Sequence, residues 1–246
     1  MKRTLLIDGD IIAYQSAVKS EQPIKWDENL WTLHSYTPEA IAMVDSGIDA
    51  LKKKLKADSI VVAITDTKNF RKDVLPTYKD NRKQKRKPLV LGDMRSHLIK
   101  KYKAVFYTSL EADDVLGILA TKPSKDETII CSIDKDFMGV PCNYCRDGET
   151  VQKISLNEAN HFHMIQTLMG DPVDGYSGVP KVGAVTANKM LADKDMPVKD
   201  MWKIVVKAYE KVGMNEQDAL QQARVARILR HGEYDKKTGE VKLWQI

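Results

Sequence analysis

The sequence predicts an α/β fold, a mostly parallel central sheet flanked by helices, continued by a helical C-terminal half. Three observations predict it. Short apolar runs alternate with helical stretches through roughly the first 154 residues, the pattern of strands joined by crossover helices. Those runs lack a polar alternate, as strands buried on both faces do. From about residue 155 strand signals stop while helical ones continue. The expected division is a core over residues 1–154 and a helical part over 155–246 packed on it.

Taken in order, "TLLID" is the first strand, with a helix from about residue 11. Thr37-Pro38-Glu39 opens the next helix, Thr37 as cap and Pro38 in the first turn where its missing N–H does no harm. That helix should end near Lys56, ahead of a second strand in "SIVVAITD". "AVFYT" reads as a third strand before the helix "EADDVLGILA", and "TIICSIDKD" as a fourth. Ser155-x-x-Glu158 is a capping box ahead of "ANHFHMIQTLMG". Asn215 caps "EQDALQQARVARILRH", whose acids lie in the first turn and bases in the last, matching the helix dipole. Residues 20–36, with Trp26 and Trp31, carry no clear period. His161 and His163 are expected as packing or surface residues.

A chain of 246 residues can bury a sizeable core without disulfides. The three cysteines, the absence of a secretory pattern and apolar runs far shorter than the roughly 20 residues of a membrane span lead to an expected reducing cytoplasm and no membrane. Cys142-x-x-Cys145 lacks a second pair of ligands for zinc, so structural thiols are expected. The net charge of +5 is modest, but "KDNRKQKRK", Lys79 to Lys87, holds six bases against one acid. Such a run is either a solvated loop or a surface for an anionic polymer.

In open α/β sheets, ligands collect outside the carboxyl ends of the strands. Asp8 ends the first run and Asp66 the second; Glu111, Asp113 and Asp114 follow the third; Asp134 and Asp136 follow the fourth. Asp171 and Asp174, in "GDPVDGYSG", can close over the same rim. So many carboxylates repel and raise one another's pKa unless cations sit among them. Oxygen-only donors favour Mg²⁺ or Mn²⁺ over zinc. Two such ions about 4 Å apart suit in-line hydrolysis of a phosphodiester. Gly9 lets the backbone pass from strand to helix; Asp10 either caps that helix or joins the metal site.

The ordered series "LLIDGD", "VVAITD…FRKDVLPTYKDNR", "LEADDVLG", "CSIDKDF" and "GDPVDGYSGVPKVGAVTANKML" resembles the motifs of the structure-specific 5′ nuclease superfamily, the flap endonucleases and 5′→3′ exonucleases. The likeness to the 5′→3′ exonucleases of short-tailed phages extends over nearly the whole chain. It implies a PIN-like or FEN-like core and a helix-three-turn-helix at about 172–192. The acids matching Asp8, Asp66, Glu111, Asp113, Asp114 and Asp134 would surround a first metal, and Asp136, Asp171 and Asp174 a second. Lys79 and Arg82 would grip the scissile phosphate from a basic arch at about 73–98, shorter than the fuller arches of some flap endonucleases. Arg71, Tyr78, Lys83, Lys85, Arg86 and Lys87, with Gly178, Lys181 and Gly183 of the hairpin, would contact nucleic acid, Tyr78 by stacking on a base. The implied cofactors are two Mg²⁺ (or Mn²⁺) and a K⁺ at the hairpin turn. The implied partners are duplex DNA with 5′ ends, RNA/DNA hybrid and replication proteins.

Three other readings share parts of this pattern. Asp8-Gly9-Asp10 fits the opening of haloacid-dehalogenase-type phosphatases, which leaves the basic run and the glycine hairpin unused. A non-catalytic DNA-binding protein has no use for nine converging acids. An RNA-cleaving PIN-type nuclease is usually shorter and lacks the helical half.

Overall fold

The computed structural model describes residues 2–246. The chain enters through β1 (Arg3–Asp8), passes directly into α1 (Gly9–Lys19), and makes a separate hairpin of β2 (Glu21–Lys25) and β3 (Trp31–Ser35). There follow α2 (Thr37–Lys54), β4 (Ser59–Ala63), α3 (Arg71–Val74), α4 (Leu91–Tyr102), α5 (Ala112–Ala120), β5 (Glu127–Cys131), β6 (Asn143–Cys145) and β7 (Val151–Lys153). The rest is α6 (Leu156–Met169), α7 (Ala184–Met190), α8 (Val198–Glu210), α9 (Glu216–Ala226) and a small ribbon of β8 (Tyr234–Asp235) and β9 (Glu240–Val241).

The main sheet has the order β4-β1-β5-β6-β7, parallel except for β7 at one edge. The apolar β1 run is explained by its place in the middle. Leu5 and Ile7 pack with Ala13, Val44, Ile48, Met94 and Leu98 of α1, α2 and α4. Leu6, on the opposite face, packs with Val115 and Leu116 of α5 and with Ile228 and Leu229 from the C-terminal segment. A further core of Met164, Leu168, Trp202, Val205, Tyr209, Ala219 and Ala223 unites α6, α8 and α9. Among the described residues, no helix is long and apolar enough to cross a membrane.

Gly9 is required for close approach rather than for a turn. A Cβ there would lie 2.5 Å from the Ala63 carbonyl oxygen, so only glycine lets α1 start hard against β4. "AVFYT" is not a strand. Val105 makes a single bridge to Ala63, and left-handed residues at Lys103 and Ser109 bend the chain on either side. β6 and β7, three residues each, are too short to show a period. Tyr36, not Thr37, precedes α2; the Thr37 hydroxyl donates instead to Asp93 of α4. The span 73–98 is no continuous helix. It holds the end of α3, one 3₁₀ turn over Asp80–Arg82 and the first part of α4.

His161 and His163 are buried on α6, their Nε2 atoms 2.7 Å from the Leu191 carbonyl and 2.8 Å from the Ala223 carbonyl. Burial, with Arg227 nearby, holds the His163 imidazole well below its usual pKa. The unfolded chain therefore takes up a proton near pH 6.5 that the folded chain refuses, and this stability is lost as pH falls. Against His163→Gln, the wild type should lose about 1 kcal/mol between pH 6.5 and 5.5. Paired urea titrations at the two pH values measure it, and parallel losses would contradict it.

Candidate active site

The carboxyl end of β1 delivers Asp8, whose side chain caps α1 by accepting the Ile11 N–H at 3.1 Å. Ser132, just past β5, donates its hydroxyl to Asp8 at 2.8 Å and accepts the Asp134 N–H at 3.1 Å, tying neighbouring strand ends together. Glu111 and Asp114 form a reciprocal capping box at the start of α5, which sets the direction of the turn bearing Asp113. Asp8, Asp10, Glu111, Asp113, Asp134 and Asp174 line one cleft of about 320 Å³. Lys79, Arg82 and Arg95 line it too.

Those bases pair with only some of the acids. Lys79 Nζ lies 2.6 Å from Glu111 and 3.4 Å from Asp174, Arg82 also pairs with Asp174, and Arg95 pairs with Asp10. Although burial opposes it, Lys79 and Arg71 bring the Glu111 carboxyl down to about 2. Burial likewise opposes the charge on Lys79, yet Glu111, Asp174 and Asp113 hold its ammonium above the usual range. Among the described residues, Asp8, Asp113, Asp134 and Asp136 have no basic partner. Burial, with Asp10 and Asp134 adding to it, pushes Asp8 up to about 7. Burial and then Asp8, Asp134 and Glu111 raise Asp113 well above the carboxylate range. Asp136, raised to about 7 by burial and by Asp134 and Asp171, accepts a 2.6 Å hydrogen bond from Gln166.

No three Asp, Glu, His or Cys side chains among the described residues are already drawn together as a coordination shell. The donor set nevertheless fits hard cations, with oxygen donors throughout and mutually raised acids lacking a positive partner. Asp134 links the Asp8–Asp113 group to the Asp136–Asp171 group, since it acts on both.

Several expected site residues stand elsewhere. Asp66 does not line the cleft; it accepts the Ser109 N–H at 2.8 Å, and that bond, with burial opposing it, lowers its pKa. Asp114 is fully buried, its carboxylate taken up by the Arg71 fork at 2.6 and 2.8 Å and by the amides of Glu111 and Leu229. It leaves no oxygen turned to the cleft for a metal. Arg71 is buried with it and also donates to the Val225 and Arg227 carbonyls, so no phosphate can reach it. Tyr78 is 2% exposed and cannot stack on a base; its hydroxyl lies 2.9 Å from Glu111 and 3.0 Å from Asp174, holding these two acids instead.

Lys79 adopts a left-handed backbone at φ +56°, its N–H donating to the Asp174 carbonyl, and this strained residue brings the arch against the acid loop. Lys83, Lys85, Arg86 and Lys87 are exposed. Lys83 pairs with Asp80, and Arg86 with Glu21 at 2.7 Å. Asp171 is buried, accepting the Val173 N–H, with Lys135 3.6 Å away. Gly178 is buried, and a Cβ on it would lie 2.3 Å from the Gly170 N. Its amide is already bonded to Gln222, so it shapes the hairpin and is not open to a phosphate. Lys181 and Gly183 are exposed just ahead of α7.

Sequence reasoning left Asp10 open and missed Arg95. Asp10 does not cap α1; it accepts the Thr65 N–H at 2.8 Å and faces the cleft. Arg95 sits on α4, and only the packing of α4 on α1 brings it to Asp10 and to the Thr65 carbonyl.

The model of the 5′-3′ exonuclease N-terminal resolvase-like domain matches residues 3–160, and the chain belongs to that family of nucleases. It is 29% identical to the exodeoxyribonuclease of Enterobacteria phage T3 over 281 aligned positions, covering 99% of this chain and 93% of that protein. The exonuclease of Escherichia phage T7 is also 29% identical, with 99% and 94% covered. A flap endonuclease Xni of Shewanella oneidensis is 30% identical over 51% of this chain and 54% of its own length. The fold is shared with the T5 D15 protein co-crystallized with metal ions, at a TM-score of 0.67 and 17% identity over 92% of this chain and 89% of that one. A T5 D15 flap endonuclease complex with DNA and metal ions gives a TM-score of 0.65 at 16% identity, with the same 92% and 89% covered.

Proposed function

We propose that the protein is a divalent-cation-dependent 5′→3′ exonuclease on duplex DNA that also removes RNA from RNA/DNA hybrids. The observation that carries this reading is the gathering of Asp8, Asp113 and Asp134, from three separate elements and without basic partners, in a cleft that also holds Lys79 and Arg82. Asp8, Asp113 and Asp134, with Glu111 and Asp10 beside them, would hold one Mg²⁺ or Mn²⁺; Asp136, Asp171 and Asp174 would hold a second. Bound there, the cations supply neutralising charge and orient water for in-line attack on phosphorus.

The chain's own groups do the rest. A phosphate entering the cleft competes with Glu111 and Asp174 for Lys79 and Arg82, exchanging carboxylate partners for phosphoryl oxygens. Lys79 offers a point charge and Arg82 a planar fork, both gaining strength as charge builds on the phosphate. Ser132 and Tyr78 keep Asp8, Glu111 and Asp174 in place while those pairs exchange. Lys83, Lys85 and Lys87, with Lys181 and Gly183 at the hairpin, would hold backbone phosphates outside the cleft, a salt-sensitive contribution. A K⁺ at the hairpin turn and replication proteins as partners belong to the same reading.

Lys79→Met is expected to lower kcat by about 10²–10³-fold with little change in KM, measured on a short duplex. An equal effect carried by KM alone would contradict a role in the transition state. The reading as a whole is tested by digesting a duplex labelled at one 5′ end, beside a flapped duplex and an RNA/DNA hybrid, in Mg²⁺ and in EDTA. Early release of label from the plain duplex and the hybrid, only with Mg²⁺, is expected. The Xni relatives favour flap cleavage as the second reading, and turnover confined to the flapped substrate would select it.

A further inference from the structure

Lys79 and Arg82 share the acid cleft with a third base, Arg95, which stands one turn into α4. A closed ring of bonds fixes its guanidinium. The Thr65 N–H donates to Asp10 at 2.8 Å, Asp10 pairs with Arg95, and Arg95 Nη2 donates back to the Thr65 carbonyl at 2.6 Å. Thr65 is itself tied down, because its hydroxyl accepts the Ala112 N–H at 3.0 Å where α5 begins. The ring uses one N–H on each of Nη1 and Nη2. The Nε–H and the remaining Nη protons have no partner among the described residues, and the side chain is 33% exposed in the cleft wall. A guanidinium held in place with donors to spare is a preorganised receptor for an oxyanion.

We infer that Arg95 binds the backbone phosphate next to the scissile one on its 5′ side; the inference rests on the nuclease reading above. Its place in the fold selects that phosphate. Arg95 comes from the layer of α1, α2 and α4, whereas Glu111, the partner of Lys79, opens α5 on the opposite face of the sheet. Lys79 and Arg82 therefore flank the scissile phosphate from one wall, and Arg95 stands in the other. In the order β4-β1-β5, Thr65 lies just past β4, Asp8 ends β1 and Asp134 lies just past β5. The anchor of Arg95, between the ends of β4 and β1, is thus displaced by about one strand spacing, ~4.8 Å, from the acids between β1 and β5. A neighbouring phosphate comes within its reach. Polarity decides which neighbour: the hairpin assigned to the duplex belongs to the helical half, which meets the far side of the acid cluster through Gln166 and Asp136. A strand crossing from there toward α4 presents its 5′ side to Arg95. Each oxygen of Asp10 already accepts a donor, so Asp10 aims the guanidinium. Gripping this second phosphate keeps the scissile one in line.

A cycle between substrate and protein tests the assignment. The cut position is mapped in Mg²⁺, and the phosphate next on its 5′ side is then neutralised, as a methylphosphonate or, where it is terminal, by a 5′-hydroxyl end. Affinity for the labelled duplex is read by anisotropy in Ca²⁺. Wild type should bind the neutralised duplex about tenfold more weakly than the native one, and Arg95→Met should bind the native one about tenfold more weakly than wild type does. The two changes together should cost little beyond either alone. The slope of log affinity against log salt should flatten by about 1 in Arg95→Met and return in Arg95→Lys. Because an unpaired Asp10 repels phosphate, the cycle is repeated on Asp10→Asn, where the loss from Arg95→Met should persist. Additive losses, or a loss that vanishes in the Asp10→Asn background, would overturn the assignment and leave Arg95 as the partner of Asp10 alone. Failure of the wild type to cut any duplex in Mg²⁺ would instead remove the nuclease reading on which it rests.

Discussion

Asp8→Asn should abolish cleavage, by about a thousandfold or more, and at the same time make the metal-free protein more stable at pH 8. The loss follows from removing a charged oxygen donor at the one strand end that both Ser132 and the α1 cap fix in place. The gain follows from linkage. Asp8 is raised from 3.8 to about 7 in the folded chain, so its contribution to stability is fully present below pH 3.8 and lost as pH rises through 7. An asparagine keeps the Ile11 N–H bond through its one oxygen and turns its amide NH₂ toward the Ser132 hydroxyl oxygen without carrying charge, which at pH 8 recovers on the order of 3 kcal/mol. Denaturant unfolding in EDTA at pH 5 and pH 8 measures this, and the advantage of the variant should shrink at the lower pH. A mainly structural Asp8 would give the opposite sign, a destabilised variant at both pH values. Saturating Mg²⁺ should stabilise the wild type and leave Asp8→Asn nearly unmoved.

Arg71→Met is expected to destabilise the protein by about 3–5 kcal/mol, because it strands the Asp114 carboxylate in a dry site and leaves the Val225 and Arg227 carbonyls without their donor. The cost falls on the junction of α3, α5 and α9, which sets the turn carrying Glu111 and Asp113. Arg71→Met/Asp114→Asn, with neither charge present, should lose less than the sum of the single changes. Shifts in the urea midpoint read these differences directly. A single-variant loss below about 1 kcal/mol, accompanied by weaker and less salt-dependent DNA binding, would instead return Arg71 to the substrate surface.

The division between what sequence could and could not give follows from range. β1, β4 and β5 were legible because a strand buried on both faces must be apolar throughout, and their carboxyl ends then placed Asp8 and Asp134 on one rim. The capping boxes at Ser155 and Asn215 were legible because both partners lie within one turn. Asp66 and Asp114 could not be told from Asp8 and Asp113 by position, since each also stands at a strand end or in the first turn of a helix. What separates them is a partner 43 residues away in both cases, the Ser109 amide for Asp66 and the Arg71 fork for Asp114. The same holds for Tyr78, whose ring is drawn inward by Glu111 and Asp174 rather than outward to a base. Gly178 reads as a phosphate turn by composition, but its backbone is needed against Gly170. The exposed hairpin showed no period because neither of its faces is buried well enough to impose one.

The central claim, that the unpartnered acids of the cleft exist to hold divalent cations, is tested most directly by titrating Mn²⁺ into the protein and counting bound ions by electron paramagnetic resonance. Wild type with an uncleavable duplex is predicted to bind two Mn²⁺ per chain, while Asp113→Asn and Asp134→Asn each lose at least one. Undiminished binding in both variants, or no binding in the wild type, would contradict it.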